Sequence, residues 1–375
     1  MALSLNPKEL KNSLRKKDFP ASTRYALSQI EMICSANFGR PQSLHNTDLA
    51  SELIAEFVFY EIDRRGMRNH EKPTHIHQLR LLTIFCDFFS VPTIDEASKN
   101  AVFMLLFTST NQERAKLLVK LVSLAMHVGN SQVLRATGVQ MQQLSCTSQY
   151  SLQLAQAVVS DFIILLPDAA SKLKDMPKIS PLFTANFLTA ITEMYFNTES
   201  TDLKPPPKIL LEVITQWVEN YNNVCTAALS ENLQPALPTG AIPMPAITPY
   251  AGLIKWCVLS PLYETDPEVN RLYSTLHLCL LNSLFKHDWN QNEGNLISVQ
   301  ALTAIIHLIN QKQCNEEQKE KSIVKLAQII SVALFAKSIY GNMQELGIQL
   351  NTLAWNRLVQ IIFKEHHLDQ AIHPC

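Results

Sequence analysis

Apolar residues recur at intervals of three and four along almost the whole of this 375-residue chain. Because an α-helix turns once every ~3.6 residues, that spacing places them on one face of a helix. A clear example runs from Asn111 to Val128, where the apolar face consists of Leu118, Leu121, Val122 and Ala125. No segment alternates convincingly with period two. The run from Val102 to Phe107 fits a buried strand by pattern alone, but helical sequence precedes it.

Capping residues and prolines indicate where the predicted helices begin and end. Thr110 and Glu113 have the spacing of a capping box, and Gly129 lies where a left-handed C-terminal cap is expected. Three more helix starts are predicted where a capping residue precedes proline: Ser180-Pro181, Thr248-Pro249 and Asp266-Pro267. Another helix is expected from about Glu316 to Tyr340, closed by Gly341. The sequence predicts roughly fourteen to sixteen helices with short connections.

Glycine is scarce, with only 9 residues against a usual share of ~7%. Compact β architectures and glycine-rich phosphate loops both depend on glycine, so both are disfavoured. We predict an all-α fold, an α-solenoid-like stack of antiparallel helices of irregular HEAT or armadillo type. No fixed sequence period is found, so any repeats are degenerate. A single irregular helical domain is the alternative.

A proline-rich stretch interrupts the helical pattern between Asn232 and Pro249. It contains Pro235, Pro238, Pro243, Pro245 and Pro249. We therefore predict an N-terminal helical block (residues 1–231), a proline-rich apolar linker (232–248) and a C-terminal helical block (249–375). Disordered linkers are usually polar and charged, whereas this one is apolar, so we expect it to pack between the blocks and fix their angle.

The helix after the linker is expected to begin at Pro249. Leu253, Trp256 and Cys257 would share one face of it, and that face should press on the N-terminal block. Trp217, Trp256 and Trp355 all lie in apolar helical segments. Core packing is predicted for the three tryptophans, with an interface anchor as the alternative.

Charge and composition exclude several function classes. Lys and Arg number 32 against 33 Asp and Glu, so no basic surface for direct nucleic-acid binding is expected. The longest apolar runs fall far short of the ~18 residues of a membrane span. Eight scattered cysteines and an N-terminus without an apolar signal run favour a reducing compartment, the cytosol or the nucleus.

Motifs for nucleotide binding, metal binding and acyl transfer are absent from the sequence. The pair His287-Asp288 has the residue types of a metal-dependent phosphohydrolase, but such a site needs further ligands on neighbouring helices. The pair also follows a helix, where a protonated histidine suits the helix dipole and Asp begins a turn. We predict no catalytic, cofactor-binding or metal site, and no cofactor.

Three further polar clusters have simple explanations. They are His75 with His77; His366, His367 and His373 with Cys375; and Arg64, Arg65 and Arg68. The first two histidines would point to nearly opposite faces of a helix, and the tail cluster follows the last helix, where little core would hold a metal geometry. The arginines could form a small basic contact patch, although a solvated loop is the favoured interpretation.

Four parts of the sequence resemble the Integrator complex subunit 15 family. They are Glu52 to Phe59 with Leu79 to Phe89; Leu117 to Ala125; Ala155 to Tyr195; and Leu210 to Trp217 with Thr248 to Leu262 and Leu272 to Leu278. The most specific segment is G-L-I-K-W-C-V-L-S-P-L, from Gly252 to Leu262. Members of the family carry a basic insertion before the L-Y-S segment and a long Pro/His-rich tail, and this chain has neither.

The resemblance implies a nuclear, non-catalytic scaffold or adaptor subunit of Integrator, which acts on RNA polymerase II transcripts including small nuclear RNAs. It implies that the subunit joins the module of subunits 10, 13 and 14 to other factors, including transcription factors, in 3′-end processing and transcription regulation. The cleavage chemistry would belong to another subunit. Two alternatives stay open: a helical-repeat transport or signalling adaptor unrelated to Integrator, and a helical metal-dependent phosphohydrolase built on His287 and Asp288.

Overall fold

The protein was analysed as a computed structural model, which describes residues 6–36, 44–69, 73–165, 170–196, 204–230, 235–238, 240–286 and 296–366. The helices are α1 Pro7–Arg15, α2 Ala21–Ala36, α3 Leu44–Leu53, α4 His75–Phe89, α5 Glu96–Leu106, α6 Gln112–Val128, α7 Ser131–Gln143, α8 Gln149–Val159, α9 Ala170–Leu173, α10 Met176–Ile179, α11 Pro181–Met194, α12 Lys208–Asn220, α13 Tyr250–Tyr263, α14 Pro267–Lys286, α15 Val299–Gln311, α16 Glu316–Phe335, α17 Met343–Asn351 and α18 Arg357–Glu365. Short π-helical turns follow α3 and α8, at Ile54–Val58 and Ser160–Leu165, and Ala227–Leu229 forms a 3₁₀ turn.

The predicted all-α class is confirmed. In the part of the chain that the structure describes, the only paired strands are β1 (Ile297–Ser298) and β2 (Ile339–Tyr340), two residues each and parallel. The run from Val102 to Phe107, which fitted a strand by pattern, lies in α5 and its C-cap. The solenoid repeat type stays a prediction.

The chain forms two compact units. The N-terminal unit comprises residues 1–145 and 234–245, and the C-terminal unit comprises 146–233 and 246–375. The division predicted from the sequence, with blocks at 1–231 and 249–375 around a linker, is a different partition of the chain and stays a prediction.

In the N-terminal unit, α2 packs against α3, α4 and α5, while α7 packs against α4, α5 and α6. The centre is aromatic: Phe85, Phe103 and Phe107 are fully buried, with ring centroids 5.0 to 5.6 Å apart. Edge-to-face and tilted rings at this separation attract one another in addition to burying apolar area. These contacts join α4 to α5.

The two ends of α6 show where capping rules hold and where they mislead. Its N-cap is Asn111 and not Thr110, because the extended backbone of Asn111 lets its side-chain oxygen accept hydrogen bonds from the N–H groups of Glu113 and Arg114. Gly129 takes the left-handed conformation at the other end, with φ 69°, as predicted.

The C-terminal unit is built around α13, which packs against α11, α14, α15 and α16. Gly252 permits the approach to α11, because a Cβ atom at that position would lie 2.2 Å from Cβ of Thr192. The fully buried Trp256 donates its indole N–H to the carbonyl oxygen of Thr192 at 3.2 Å. Leu253 and Cys257 are also fully buried. The expected face therefore lies in the core of the unit, with Trp256 against α11.

Proline marks two of the three predicted helix starts correctly. Helices α11 and α14 begin at Pro181 and Pro267, and Asp266 accepts a hydrogen bond from the N–H of Glu268. The prediction for Pro249 is wrong by one residue, since α13 begins at Tyr250. The Thr248 hydroxyl does not cap the helix; it donates to the carbonyl oxygen of Leu296.

Helix α16 is shorter than predicted. It ends at Phe335, not Tyr340, because Lys337 adopts a left-handed conformation with φ 52° and the N–H of Ser338 donates back to the carbonyl oxygen of Ala333. The following residues pair as β2, so Gly341 does not close this helix.

The proline-rich stretch is held mainly through its backbone. Within the N-terminal unit, the Asn100 amide donates to the carbonyl oxygen of Ala236 and the Gln142 amide donates to that of Met244. The side chain of Ile242 is 82% exposed, so the expectation that the apolar side chains pack is wrong for this residue. That the stretch fixes the angle between two blocks stays a prediction.

Candidate protein-docking groove

Three helices of the C-terminal unit form a shallow groove. Helix α16 packs against both α14 and α18. His277 of α14 meets Gln328 of α16, and farther along both helices Phe285 meets Phe335. The two pairs follow one another in the same order along each chain segment, so α14 and α16 run parallel and their C-terminal ends lie together.

The groove encloses about 260 Å³ and is mostly apolar. Its lining consists of Leu281 from α14; Ala327, Gln328, Ser331 and Val332 from α16; and Leu358, Ile361 and Ile362 from α18. Small-molecule sites usually occupy ~300–1,000 Å³ and surround the ligand, whereas this depression is smaller and open to solvent. Its size suits a side chain projecting from a partner protein.

Two phenylalanines stand at one end of the groove. Phe285 is 64% exposed and Phe335 is 72% exposed, and their rings stack with centroids 6.1 Å apart and an interplanar angle of 13°. A single exposed apolar residue is ordinary on a protein surface, but an aromatic pair beside an apolar groove is characteristic of an interaction site. Aromatic residues are also enriched among the residues that carry most binding energy.

The phenylalanines are exposed because each lies outside the buried stripe of its helix. The stripe of α14 includes Leu276, Leu280 and Leu284, and that of α16 includes Leu326, Ile330 and Ala333. Phe285 lies about 100° around the helix from Leu284, and Phe335 lies about 140° around the helix from Ile330, the nearest of these stripe residues in each case. The fold therefore directs both rings toward solvent.

Next to the apolar lining lies a partly buried polar layer, of which the exposed Gln328 is itself part of the lining. The Nε2 atom of His277 and the Oε1 atom of Gln328 are 2.9 Å apart, and burial lowers the pKa of His277. The Lys325 ammonium donates to the hydroxyl of Ser260 at 3.2 Å, and burial lowers the pKa of this lysine as well. Ser260 is fully buried and His277 is 4% exposed, so the two hydrogen bonds tie α16 to core residues of α13 and α14.

The ends of the three helices carry an excess of positive charge. The charged residues in the last turn of α14, in the turn after α16 and in α18 are Lys286, Lys337, Arg357, Lys364 and Glu365, four cations and one anion. All five are exposed, and none forms an ion pair with another described residue. In the part of the chain that the structure describes, the groove is thus apolar inside and basic around its edge.

The histidine and arginine clusters singled out from the sequence form no common site. His77 stacks on Phe19, with centroids 3.9 Å apart, and burial lowers its pKa; His75 is exposed. Arg64, Arg65 and Arg68 are exposed in a turn, where the Asp63 side chain accepts hydrogen bonds from the N–H groups of Arg65 and Met67. The arginines therefore stay a candidate contact patch of the N-terminal unit.

Two further candidate sites fall largely beyond what the structure describes. His287-Asp288 and the tail residues His367, His373 and Cys375 lie outside the described residues, and His366 forms the C-cap of α18. Among the residues that are described, no group of three or more His, Cys, Asp or Glu is placed to hold a metal ion. The helices described here include none that is long and apolar enough to cross a membrane.

The tryptophan prediction is right for two residues and wrong for one. Trp217 and Trp256 are fully buried, and the indole N–H of Trp217 donates to the carbonyl oxygen of Leu173 at 2.8 Å. Trp355 is 52% exposed, because it lies in the turn between α17 and α18 and not within a helix.

Phe285 and Phe335 are functional candidates that the sequence did not predict. Each phenylalanine follows a leucine near the end of a 20-residue helix and precedes a lysine by one or two positions. Projecting either helix down its axis would have placed the ring off the apolar stripe, and that projection was the available signal. Their contact across two helices could not be read from the sequence.

Comparison with known proteins identifies relatives over nearly the whole chain. The sequence model of the family described as Integrator complex subunit 15 matches residues 8–355. A protein of that name from Drosophila melanogaster is 32% identical over 98% of this chain and 100% of its own length. The proteins of that name from Homo sapiens and Mus musculus are each 27% identical over 94% of this chain and 86% of their own length.

Proposed function

Since the chain belongs to the Integrator complex subunit 15 family, we propose that it acts in the nucleus as a non-catalytic scaffold subunit of Integrator. In this role it joins the module of subunits 10, 13 and 14 to other factors, including transcription factors. The assembly acts in 3′-end processing of RNA polymerase II transcripts, small nuclear RNAs among them, and in transcription regulation.

The groove on the C-terminal unit is the observation that carries this proposal. A scaffold subunit acts by binding, so it needs a surface on which apolar groups stay exposed until a partner covers them. Phe285 and Phe335 provide such a surface beside an apolar depression. Both rings are held by 20-residue helices, so little conformational entropy is lost when a partner binds them.

The chemistry of the polar layer supports a structural role over a catalytic one. Ser260 and Lys325 have the residue types of a Ser-Lys nucleophile pair, but Ser260 has no exposed surface through which a substrate could reach its hydroxyl. The nearly balanced charge of the chain, 32 cationic against 33 acidic residues, supports partners that are proteins and not direct binding of nucleic acid.

Affinity purification of the tagged full-length chain from nuclei, with partners identified by mass spectrometry, tests the proposal. Subunits 10, 13 and 14 should be recovered together with the chain at salt concentrations that retain the assembly. Recovery of transport or signalling proteins without Integrator subunits would favour the unrelated adaptor. A stoichiometric metal that survives dialysis and is lost on His287→Ala substitution would favour the phosphohydrolase.

A further inference from the structure

We propose that the groove between α14, α16 and α18 receives an amphipathic helix of a partner protein, apolar on one face and acidic along its flanks. The inference rests on the proposed scaffold function and names the chemistry of the partner. Its structural basis is an apolar depression, an exposed aromatic pair at one end and edge cations that have no ion-pair partner among the described residues.

The walls of the groove require the partner to satisfy its own backbone. Helices α14, α16 and α18 use their backbone N–H and C=O groups internally, and neither of the short described strands contributes to the lining. A bound segment therefore finds no sheet edge to extend. Among extended, polyproline and helical segments, the helix alone pairs most of its backbone groups before an apolar face is buried.

The length of the apolar surface along α16 matches about two turns of a partner helix. Along α16 the apolar surface runs from Ala327 to Phe335, eight rises of ~1.5 Å or about 12 Å. Three anchor residues at positions i, i+3 or i+4, and i+7 of a partner helix span about 10 Å. One anchor would enter the depression beside Leu358 and Ile361, and the last would rest on the phenylalanine pair.

The charges at the groove edge determine which residue types lie beside the apolar face of the partner helix. Among the described residues, Lys286, Lys337, Arg357 and Lys364 against Glu365 give a net charge of 4 − 1 = +3. The adjacent C-terminal ends of α14 and α16 contribute partial charges of about −0.5 each, so the edge remains positive by about two charges. Aspartate and glutamate beside the apolar face would therefore steer the partner and set its orientation, while a basic helix would be repelled.

Site-specific photo-crosslinking identifies what occupies the groove. The tagged full-length chain, with a photo-reactive amino acid at position 358, is expressed in cells of its own organism, irradiated and purified from nuclei. The crosslinked peptide should come from an Integrator-associated protein, carry apolar residues at helical spacing and contain more Asp and Glu than Lys and Arg.

Two variants, each with a matched control, show whether the aromatic pair and the edge cations contribute to partner binding. Phe285→Ala/Phe335→Ala should lower the crosslinking yield about tenfold, whereas Ile76→Ala/Leu79→Ala, which truncates two exposed side chains on α4, should leave the yield unchanged. Lys286→Glu/Lys337→Glu/Lys364→Glu should lower the yield by a similar factor. Its control makes the same charge change at the exposed lysines Lys172, Lys174 and Lys178 and should not alter the yield.

Each alternative outcome has a separate meaning. A crosslink to a second copy, to the chain's own residues, to a basic segment or to no protein, while Integrator subunits still co-purify, would overturn the groove assignment and leave the proposed function standing. A crosslink to an acidic helix in a purification that recovers no Integrator subunit would retain the groove assignment and overturn the proposed function.

Discussion

The two units of the molecule use their charged side chains differently. In the described part of the N-terminal unit, five ion pairs join different elements: Lys11–Glu52, Arg15–Glu56, Arg24–Asp87, Arg114–Glu61 and Arg135–Glu96. Described pairs between elements of the C-terminal unit are Lys208–Glu268 and Lys255–Glu193, and neither includes a cation of the groove edge. Many charges of the N-terminal unit therefore pair between its own helices, whereas the cations at the groove edge of the C-terminal unit have no ion-pair partner among the described residues.

Two phenylalanine clusters show a related contrast, although the interior of the C-terminal unit also contains aromatic residues such as Phe187 and Trp217. Phe85, Phe103 and Phe107 cluster in the interior of the N-terminal unit, while Phe285 and Phe335 stack in solvent on the C-terminal unit. Ring stacking gives either cluster about 0.5–1.5 kcal/mol beyond area burial. Only the interior cluster also gains from removing its apolar area from water. The exposed pair gains this free energy of apolar burial only when a partner covers it. The interior cluster therefore stabilises the fold, whereas the exposed pair is available for binding.

Truncation of a core tryptophan has the largest expected effect and tests whether the C-terminal unit is firmly packed beneath its groove. Trp256→Ala should lower the free energy of unfolding by about 3–5 kcal/mol, since the residue is fully buried and its indole N–H donates to Thr192. Urea denaturation followed by circular dichroism measures the change. Trp355→Ala, in a half-exposed turn, is the matched control and should lower it by less than about 1 kcal/mol.

An unchanged free energy of unfolding for Trp256→Ala, combined with loss of partner binding, would contradict this interpretation. Trp256 would then be an interface anchor, and the contrast between a packed core and an exposed groove in the C-terminal unit would fail.

A double-mutant cycle on Arg15 and Glu56 tests the comparison directly. Glu56 is 6% exposed, so Arg15→Ala leaves a buried carboxylate without its strongest hydrogen-bond donor. Because Arg15 itself is partly exposed, we expect Arg15→Ala to lower the free energy of unfolding by about 1–3 kcal/mol. This loss is smaller than the one expected when a fully buried ion pair is broken. The coupling energy from Arg15→Ala, Glu56→Ala and the double variant should account for most of the loss.

Groove cations provide the control for that cycle. Lys286→Ala and Lys364→Ala should each change the free energy of unfolding by less than about 0.5 kcal/mol, because neither side chain has an ion-pair partner among the described residues. Equal losses for Arg15→Ala and Lys364→Ala would remove the distinction between the two units.

Truncation of the exposed phenylalanines sharpens the contrast between folding and binding. Phe285→Ala/Phe335→Ala should alter the free energy of unfolding by no more than about 1 kcal/mol, the value of one ring stack, because most of both rings already contacts water. Thermal denaturation of the purified variant checks this. A fall in Tm as large as that of Trp256→Ala would show that the pair is structural.

Fold class and many helix ends were predictable because they depend on local chemistry. Gly129 closes α6 and Pro267 begins α14 through conformational preferences that each residue has by itself. The end of α16 was not predictable by the same rules, since Lys337 takes a left-handed conformation that non-glycine residues seldom adopt. The pairing of β2 with β1, which are 42 residues apart in the chain, accompanies that turn.

The candidate site was less predictable, because it depends on which helix faces become covered. Apolar spacing placed Trp256 in the core correctly, but it gave the same answer for Trp355, whose segment turns before α18 begins. A helical projection places Phe285 and Phe335 off the buried stripes of their own helices, but only the packing of α14 on α16 shows that both rings stay exposed and contact each other. Whether a side chain is buried depends on how the helices of the unit pack together, and the sequence of a single helix does not determine it.

The smallest expected effect is a difference in pH dependence between two histidines, one in each unit. Burial lowers the pKa of both His77 and His277; Arg80 lowers the first further, Lys325 lowers the second further, and the hydrogen bond with Gln328 partly offsets the shift of His277. A lowered pKa means that the unfolded chain binds a proton more readily than the folded one. The stability that each neutral histidine contributes is therefore complete above about pH 6.5 and is lost as the pH falls toward the lowered pKa.

Urea unfolding of the wild type, His77→Gln and His277→Gln at a series of pH values checks this difference. The free energy of unfolding should decline least with falling pH for His277→Gln, because His277 is the more deeply buried histidine. An equal decline in the wild type and His277→Gln would mean that the folded protein tolerates a charged imidazole between α14 and α16.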